Sequence, residues 1–205
     1  MAGTVFFSVS MSLDGYIAPD SPEELMGRQW MQLQRWIFPQ RHFRENLKLG
    51  AGGEEGRDND IVRETFERTG ASVMGKRMFE AGAQSWPEDP PFHTPVFVVT
   101  HERRDPWERL GGTTFHFVDD IHSALERARE AAGDRDVRIA GGGATILEYL
   151  NAGLVDEFTI ALSPVLFGAG IRLFQGVDAA RVELEQVGSE SSPRVTHVTY
   201  TVRRR

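Results

Sequence analysis

Val137-Arg138-Ile139-Ala140-Gly141-Gly142-Gly143-Ala144-Thr145-Ile146-Leu147 is the stretch on which the class of fold turns. Residues 137–140 read as a buried strand, and residues 144–151 as a helix closed by Gly153. Three glycines between them let the backbone approach a ligand closely and leave N–H groups unpaired at the helix start. With the helix dipole behind them, those groups form an anion site suited to a phosphate or diphosphate. A tight turn needing positive φ is the competing reading, and it requires fewer glycines than are present. The spacing is neither Gly-x-Gly-x-x-Gly nor a Walker A motif, so it indicates a phosphate ligand without specifying which.

Working outward, the same order of parts recurs. Val73-Met74-Gly75-Lys76-Arg77-Met78-Phe79-Glu80 is again strand (71–74), glycine, helix (77–81). Basic side chains are electrostatically misplaced at a helix N-terminus. A bound polyanion removes that penalty, and Arg77 can engage it with two parallel hydrogen bonds; simple solvation of Lys76 and Arg77 is the alternative. His101-Glu102-Arg103-Arg104 then follows the continuous apolar run at 95–100. Ligands bind at the carboxyl ends of parallel strands. Three such ends, two basic and one triple-glycine, describe a dinucleotide groove, and the surplus of cations suits a cofactor with an extra phosphate.

The remaining segments complete the expectation. Residues 4–10 form a strand leading into a loop at 12–18, where Asp14 is a candidate for proton handling or substrate anchoring, with Ser12 assisting. The bland reading of Asp14 is the first half of an Asp-Gly turn. Met26, Trp30, Leu33 and Ile37 share one helical face and predict a helix over 23–38, with Ser21 as N-cap, Pro22 at N1 and Glu24 completing a capping box. Trp30 and Trp36 are either a floor for a flat heterocycle or, for Trp30, core. An exposed loop over 47–59 precedes a helix over 60–68, with Gly70 beyond its end. Strand 114–118, helix 121–131 capped by Asp119 or Asp120, strand 157–162, a loop with a short extended piece over 165–174, and a hairpin of 181–187 with 194–202 follow. The pattern predicts one α/β domain over 1–205, with a mostly parallel central sheet and a C-terminal antiparallel hairpin.

Composition narrows the chemistry. The chain has 205 residues, no cysteine and a formal charge of -7. Disulfides, thiolate nucleophiles and Cys-ligated metals are excluded. The histidines show no metal-binding spacing. The acidic balance argues against a nucleic-acid partner. No run approaches the length of a membrane span, the first residues lack a basic leader, and the expected compartment is the cytoplasm.

MSLDGYIA, VMGKRMFE, VFVVTH, RIAGGGATILEYLNAGLVDEF and SPVLFGAGIRLF occur in order along nearly the whole chain. This resembles the dihydrofolate reductase-like superfamily, in the branch related to the C-terminal reductase domain of the bifunctional riboflavin-biosynthesis deaminase/reductase. The resemblance implies a three-layer dihydrofolate reductase-like fold and an NADPH-dependent reductase. It implies that Gly75, Lys76 and Arg77 lie at the cofactor phosphates. It also brings Thr100, His101 and Arg103 to the adenosine 2'-phosphate. Gly141, Gly142, Gly143, Ala144 and Thr145 take the diphosphate and nicotinamide side, and the loop from Ser12 to Ala18 closes over nicotinamide and substrate.

Two departures bear on the substrate. Ser8 stands where riboflavin-pathway reductases usually carry a lysine. Residues 23–38 also offer no clear equivalent of the pterin-facing carboxylate of dihydrofolate reductases. The resemblance implies a substrate like 5-amino-6-(5-phosphoribosylamino)uracil or another small heterocycle. Dihydrofolate reduction and non-catalytic NADPH binding are the competing functions, and a homodimer paired through the hairpin is the expected assembly.

Overall fold

The apolar runs of the sequence lie side by side in one nine-stranded sheet. The structure, a computed structural model, describes residues 3–21, 24, 25 and 27–204. Along the chain the strands and helices are β1 (Val5–Ser12), β2 (Tyr16–Ala18), α1 (Arg28–Leu33), α2 (Arg41–Asn46), α3 (Arg57–Arg68), β3 (Thr69–Gly75) and α4 (Lys76–Ala83). There follow β4 (Val96–Val99), β5 (Trp107–Glu108), β6 (Thr114–Val118), α5 (Ile121–Ala132), β7 (Asp136–Gly141), α6 (Gly143–Asn151), β8 (Glu157–Ser163), β9 (Ile171–Arg172), β10 (Val182–Ser191) and β11 (Thr196–Arg204). The sheet order is β10-β11-β8-β1-β7-β3-β4-β6-β5. From β8 through β6 all neighbours are parallel, whereas β11 joins β8, and β10 joins β11, antiparallel. This is the mostly parallel α/β sheet with a terminal hairpin that the sequence predicts.

Alternation along the strands divides the side chains into two layers of core. Val5, Phe7, Val73, Phe97, Val137 and Ile139 point to one face and pack with Leu125 and Ala128 of α5 and Ile146 and Leu150 of α6. Phe7 stacks on Phe158 with ring centroids 4.6 Å apart. On the opposite face Met74, Val96 and Val98 meet Phe79 of α4, and Ala161 meets Trp36 and Val62 of α3. Asp120 caps α5, its carboxylate accepting from the backbone N–H groups of His122 and Ser123. No helix among the described residues is long and apolar enough to cross a membrane.

Two expectations are corrected. The helix expected over 23–38 is regular only from Arg28 to Leu33 and tightens into a 3-10 turn over Gln34–Trp36. It starts after Gly27 with no side-chain cap. The expected cap region is instead an isolated turn in which the Glu24 N–H donates to the Ser21 carbonyl at 3.1 Å. Pro22, Glu23 and Met26 lie outside the described residues. The stripe fails as a helix because much of it faces a cleft rather than a packed core. The helix expected to reach Arg68 does end there with Gly70 beyond it, although Gly70 is not a left-handed cap. Thr69 already leaves the helical conformation, and Gly70 belongs to β3. A Cβ there would lie 2.8 Å from the Cα and Cβ of Ala132, so the glycine allows β3 and α5 to approach. The second helix also begins earlier than expected, at Arg57, and α2 and β5 had no clear signal in the sequence.

Candidate active site

Parallel strands place their carboxyl ends on one edge of a sheet. Here β1, β7, β3 and β4 end beside one another and border a cleft of about 1240 Å³. Ala18, Gly75, Lys76, Arg77, Thr100, His101, Gly141, Gly142, Gly143, Ala144 and Thr145 all line it. Four segments far apart in sequence are thereby brought to one wall.

The cleft divides by chemistry. At one end two helix N-termini converge. Gly75 is the N-cap of α4 and Gly142 that of α6, and neither helix has a side-chain cap. The approach is close: a Cβ on Gly75 would lie 2.3 Å from Thr145 Oγ1. A Cβ on Gly143 would lie 2.9 Å from Ile171, whereas one on Gly142 would meet nothing within 4 Å. Unsatisfied N–H groups of two dipoles thus face one space, in contrast with the capped α5. Lys76 pairs with Glu102, which raises the lysine pKa and lowers that of the glutamate through their hydrogen bond. Arg77 donates to the Asp20 carbonyl, and His101 contacts the Asp119 carboxylate. Arg103 is elsewhere. With Arg104 it borders a separate depression beside α4, where the Arg104 guanidinium lies 4.5 Å from the Phe117 ring centroid.

The other end is aromatic. Trp30, Met31, Ile37, Phe38, Phe43 and Phe66 line it, with Trp30 against Phe38 and Phe38 against Phe43 in edge-to-face pairs. Trp30 is half-buried on this wall, whereas Trp36 is buried and donates its indole N–H to Ser10 Oγ at 2.9 Å. Ser10 in turn donates to Gln34 Oε1 at 3.2 Å. On the floor is Arg138 of β7, a residue that motif reasoning passed over. Its signal is a cation between the fully buried Val137 and Ile139 of a central strand. Burial draws its pKa down to about 10.

Ser12 and Asp14 form a joint between loops. Ser12 Oγ, buried, donates to Asp14 Oδ1 at 2.6 Å and accepts from the Tyr16 N–H at 2.9 Å. The other side of the Asp14 carboxylate accepts from the Gly168 N–H at 2.7 Å and the Phe167 N–H at 3.2 Å. The Ser12 hydroxyl, helped by these amides, holds the Asp14 pKa at about 2. Neither residue lines the cleft. Among the described residues no group of three His, Asp or Glu is arranged to hold a metal ion.

A mostly parallel sheet with a terminal hairpin, and a cleft at its carboxyl edge running from two uncapped helix starts to an aromatic end, define a dihydrofolate reductase-like fold. The chain belongs to the RibD C-terminal domain family, whose model matches residues 3–198. It is 26% identical over 136 residues to YyaP of Bacillus subtilis (strain 168), covering 62% of this chain and 71% of that protein. The fold is shared with a putative riboflavin biosynthesis protein from Shewanella sp. PV-4, at 23% identity, full coverage of both chains and a TM-score of 0.68. It is shared also with Enterococcus faecalis dihydrofolate reductase, solved with NADP(H), at 13% identity, 98% coverage of both chains and a TM-score of 0.56.

Proposed function

We propose that the protein is an NADPH-dependent reductase acting on a small, flat heterocyclic substrate. The observation that carries this reading is the meeting of two uncapped helix N-termini, at Gly75 and Gly142, in one cleft with the aromatic wall. The bare backbone at Gly142, where a Cβ would point into open space, fits a diphosphate lying across the glycines. NADPH, when bound, supplies the hydride.

The chain's own residues do the rest. Gly75, Gly142 and Gly143 would offer N–H groups to the diphosphate, and Ala144 and Thr145 continue that wall. Lys76, Arg77, Thr100 and His101 ring the mouth at the end suited to the 2'-phosphate. Ala18, with Ile17, closes over the nicotinamide side. Trp30, Phe38 and Phe43 orient a flat ring and exclude water from it. Ser12 and Asp14 are positioning residues. A carboxylate with so low a pKa is ionised at neutral pH, which suits it to anchor the loop at 12–18 and not to donate a proton.

Among the described residues the aromatic end has no carboxylate facing a substrate ring, which disfavours dihydrofolate reduction. Isothermal titration with NADPH and NADH, followed by turnover on pyrimidine, pterin and dihydrofolate panels, tests the proposal. Tight NADPH binding, weaker NADH binding and oxidation of NADPH by a heterocycle are expected. Absence of nucleotide binding refutes it, and binding without oxidation on any of the panels favours a sensory role.

A further inference from the structure

The aromatic end contains a cation for which the cofactor chemistry has no use. Arg138 is level with Phe6 of β1 and Ser72 of β3, on the face covered by α3. Its Nε is enclosed and has no hydrogen-bond partner. Its guanidinium lies 5.9 Å from the centroid of the Phe66 ring, and its remaining surface opens into the cleft beside Ser8 and Thr65.

The acids near that face are already engaged. Asp136 and Glu157 accept from Arg68 at 2.5 and 2.6 Å, and the second oxygen of Asp136 accepts from the Thr4 N–H at 2.7 Å. Along α3, Asp58 pairs with His197, Asp60 and Glu67 with Arg63, and Glu64 with Arg57. Among the described residues no carboxylate pairs with Arg138. Arg138 is half-buried with its Nε fully enclosed, and a cation so desolvated without a counter-charge costs stability. A cleft floor is where such a cost is offset by a ligand.

We propose that Arg138 determines substrate specificity by pairing with a carboxylate on a flat aromatic or heterocyclic substrate. This rests on the reading of the cleft as a reductase site. The guanidinium takes a carboxylate through two parallel hydrogen bonds, and the rings of Phe66, Phe43 and Phe38 select a planar body. One positive charge balances one carboxylate. A phosphate monoester carries about -1.5 to -2 at neutral pH and would leave excess charge against an apolar wall. The substrate class is therefore a monoanion, unlike the phosphoribosyl compound that the family resemblance implies.

Calorimetric titration of the whole protein with naphthoate, naphthamide and naphthyl phosphate tests this. The wild type is expected to bind naphthoate about tenfold or more tighter than naphthamide, the factor of a charge-assisted hydrogen bond. Arg138→Met should abolish that preference, leave NADPH affinity unchanged, and raise Tm by several degrees through removal of an unpaired charge. Arg138→Lys should retain part of the preference. Equal affinity for naphthoate and naphthamide, a preference that survives Arg138→Met, or a lower Tm in that variant overturns the proposal. Tighter binding of naphthyl phosphate than of naphthoate overturns the monoanion assignment. NADPH titration is read separately: failure there removes the reductase reading without touching the carboxylate preference.

Discussion

Gly75→Ala probes the joint on which the proposed cofactor end depends. Gly75 has φ -81° and ψ 156°, a conformation open to any residue, so alanine brings no backbone strain. Reduced freedom of the unfolded chain would even favour alanine by about 0.4–1 kcal/mol. The added Cβ, however, would lie 2.3 Å from Thr145 Oγ1, with Thr145 Cβ at 3.5 Å and the Gly142 N at 3.8 Å. Thr145 is buried and β-branched, so its hydroxyl can yield only by moving α6 or changing rotamer. Overpacking of this kind costs about 1–3 kcal/mol. The net loss of about 1–2 kcal/mol corresponds to a fall in Tm of roughly 2–8 °C for a chain of this size. In a Thr145→Ala background the nearest contact is the ordinary one at 3.5 Å. There Gly75→Ala should be neutral or slightly stabilising. Calorimetric Tm values of wild type, both single variants and the double variant form the cycle. NADPH titration of the same four proteins should show affinity falling most in Gly75→Ala. An equal cost of Gly75→Ala in both backgrounds would refute the proposed contact between the two helix starts.

The other predictions concern single groups. Arg77→Ala should weaken NADPH binding by about tenfold, the contribution of a charge-assisted hydrogen bond, while turnover at saturating NADPH is nearly unchanged; wild-type affinity in the variant sinks the assignment. Asp14→Asn should lower Tm at neutral pH. The wild-type carboxylate has a folded pKa of about 2, below its ordinary 3.8, so its stabilisation is complete above the ordinary value and is lost as pH falls through about 2. Melting curves of wild type and variant should accordingly converge toward that pH, and a constant gap contradicts the anchoring role. We also propose that the protein pairs through its hairpin, because β10 is an edge strand exposing Leu184 and Val187. Light scattering should show a dimer that Leu184→Lys disrupts, and a monomeric wild type disproves it.

Legibility in the sequence followed the source of order in each part. The strand–glycine–helix units at 73–80 and 137–147 are readable because the buried Val73, Met74, Val137 and Ile139 mark their strands, and Gly75 and Gly143 have a steric reason. Asp120 was readable as a cap because its bonds to the next turn are local. The wall at 23–47 was not. Its apolar stripe meets the helical period, but Trp30 and Ile37 face a cleft, so periodicity marked burial against an absent partner and overstated the helix. Asp14 was recognised as important while its acceptors remained hidden, since the N–H groups of Phe167 and Gly168 lie more than 150 residues away. Arg138 was obscured for the opposite reason: an alternating strand admits a charged residue on either face, and only the tertiary pairing of Asp136 and Glu157 with Arg68 leaves it alone.

The two ends of the cleft are held by different forces, and that difference sets how each can change. Gly75 and Gly141, the residue before Gly142, lie in parallel ladders, with Met74 opposite Gly141 and Gly75 opposite Val99. Moving them requires breaking several backbone hydrogen bonds together, so the glycine end of the cleft tolerates little displacement. The aromatic end hangs on α1 and α2, six residues each and without side-chain caps. Helices so short have little stability of their own and depend on side-chain packing. Substitutions at Trp30, Phe38 or Phe43 should therefore reshape substrate recognition while leaving nucleotide affinity almost intact. Arg138 crosses this division: it belongs to the rigid sheet yet faces the adaptable wall. In the proposed reading, a charge fixed to the sheet would hold one end of a substrate at constant distance from the nicotinamide while the short helices adjust to the rest.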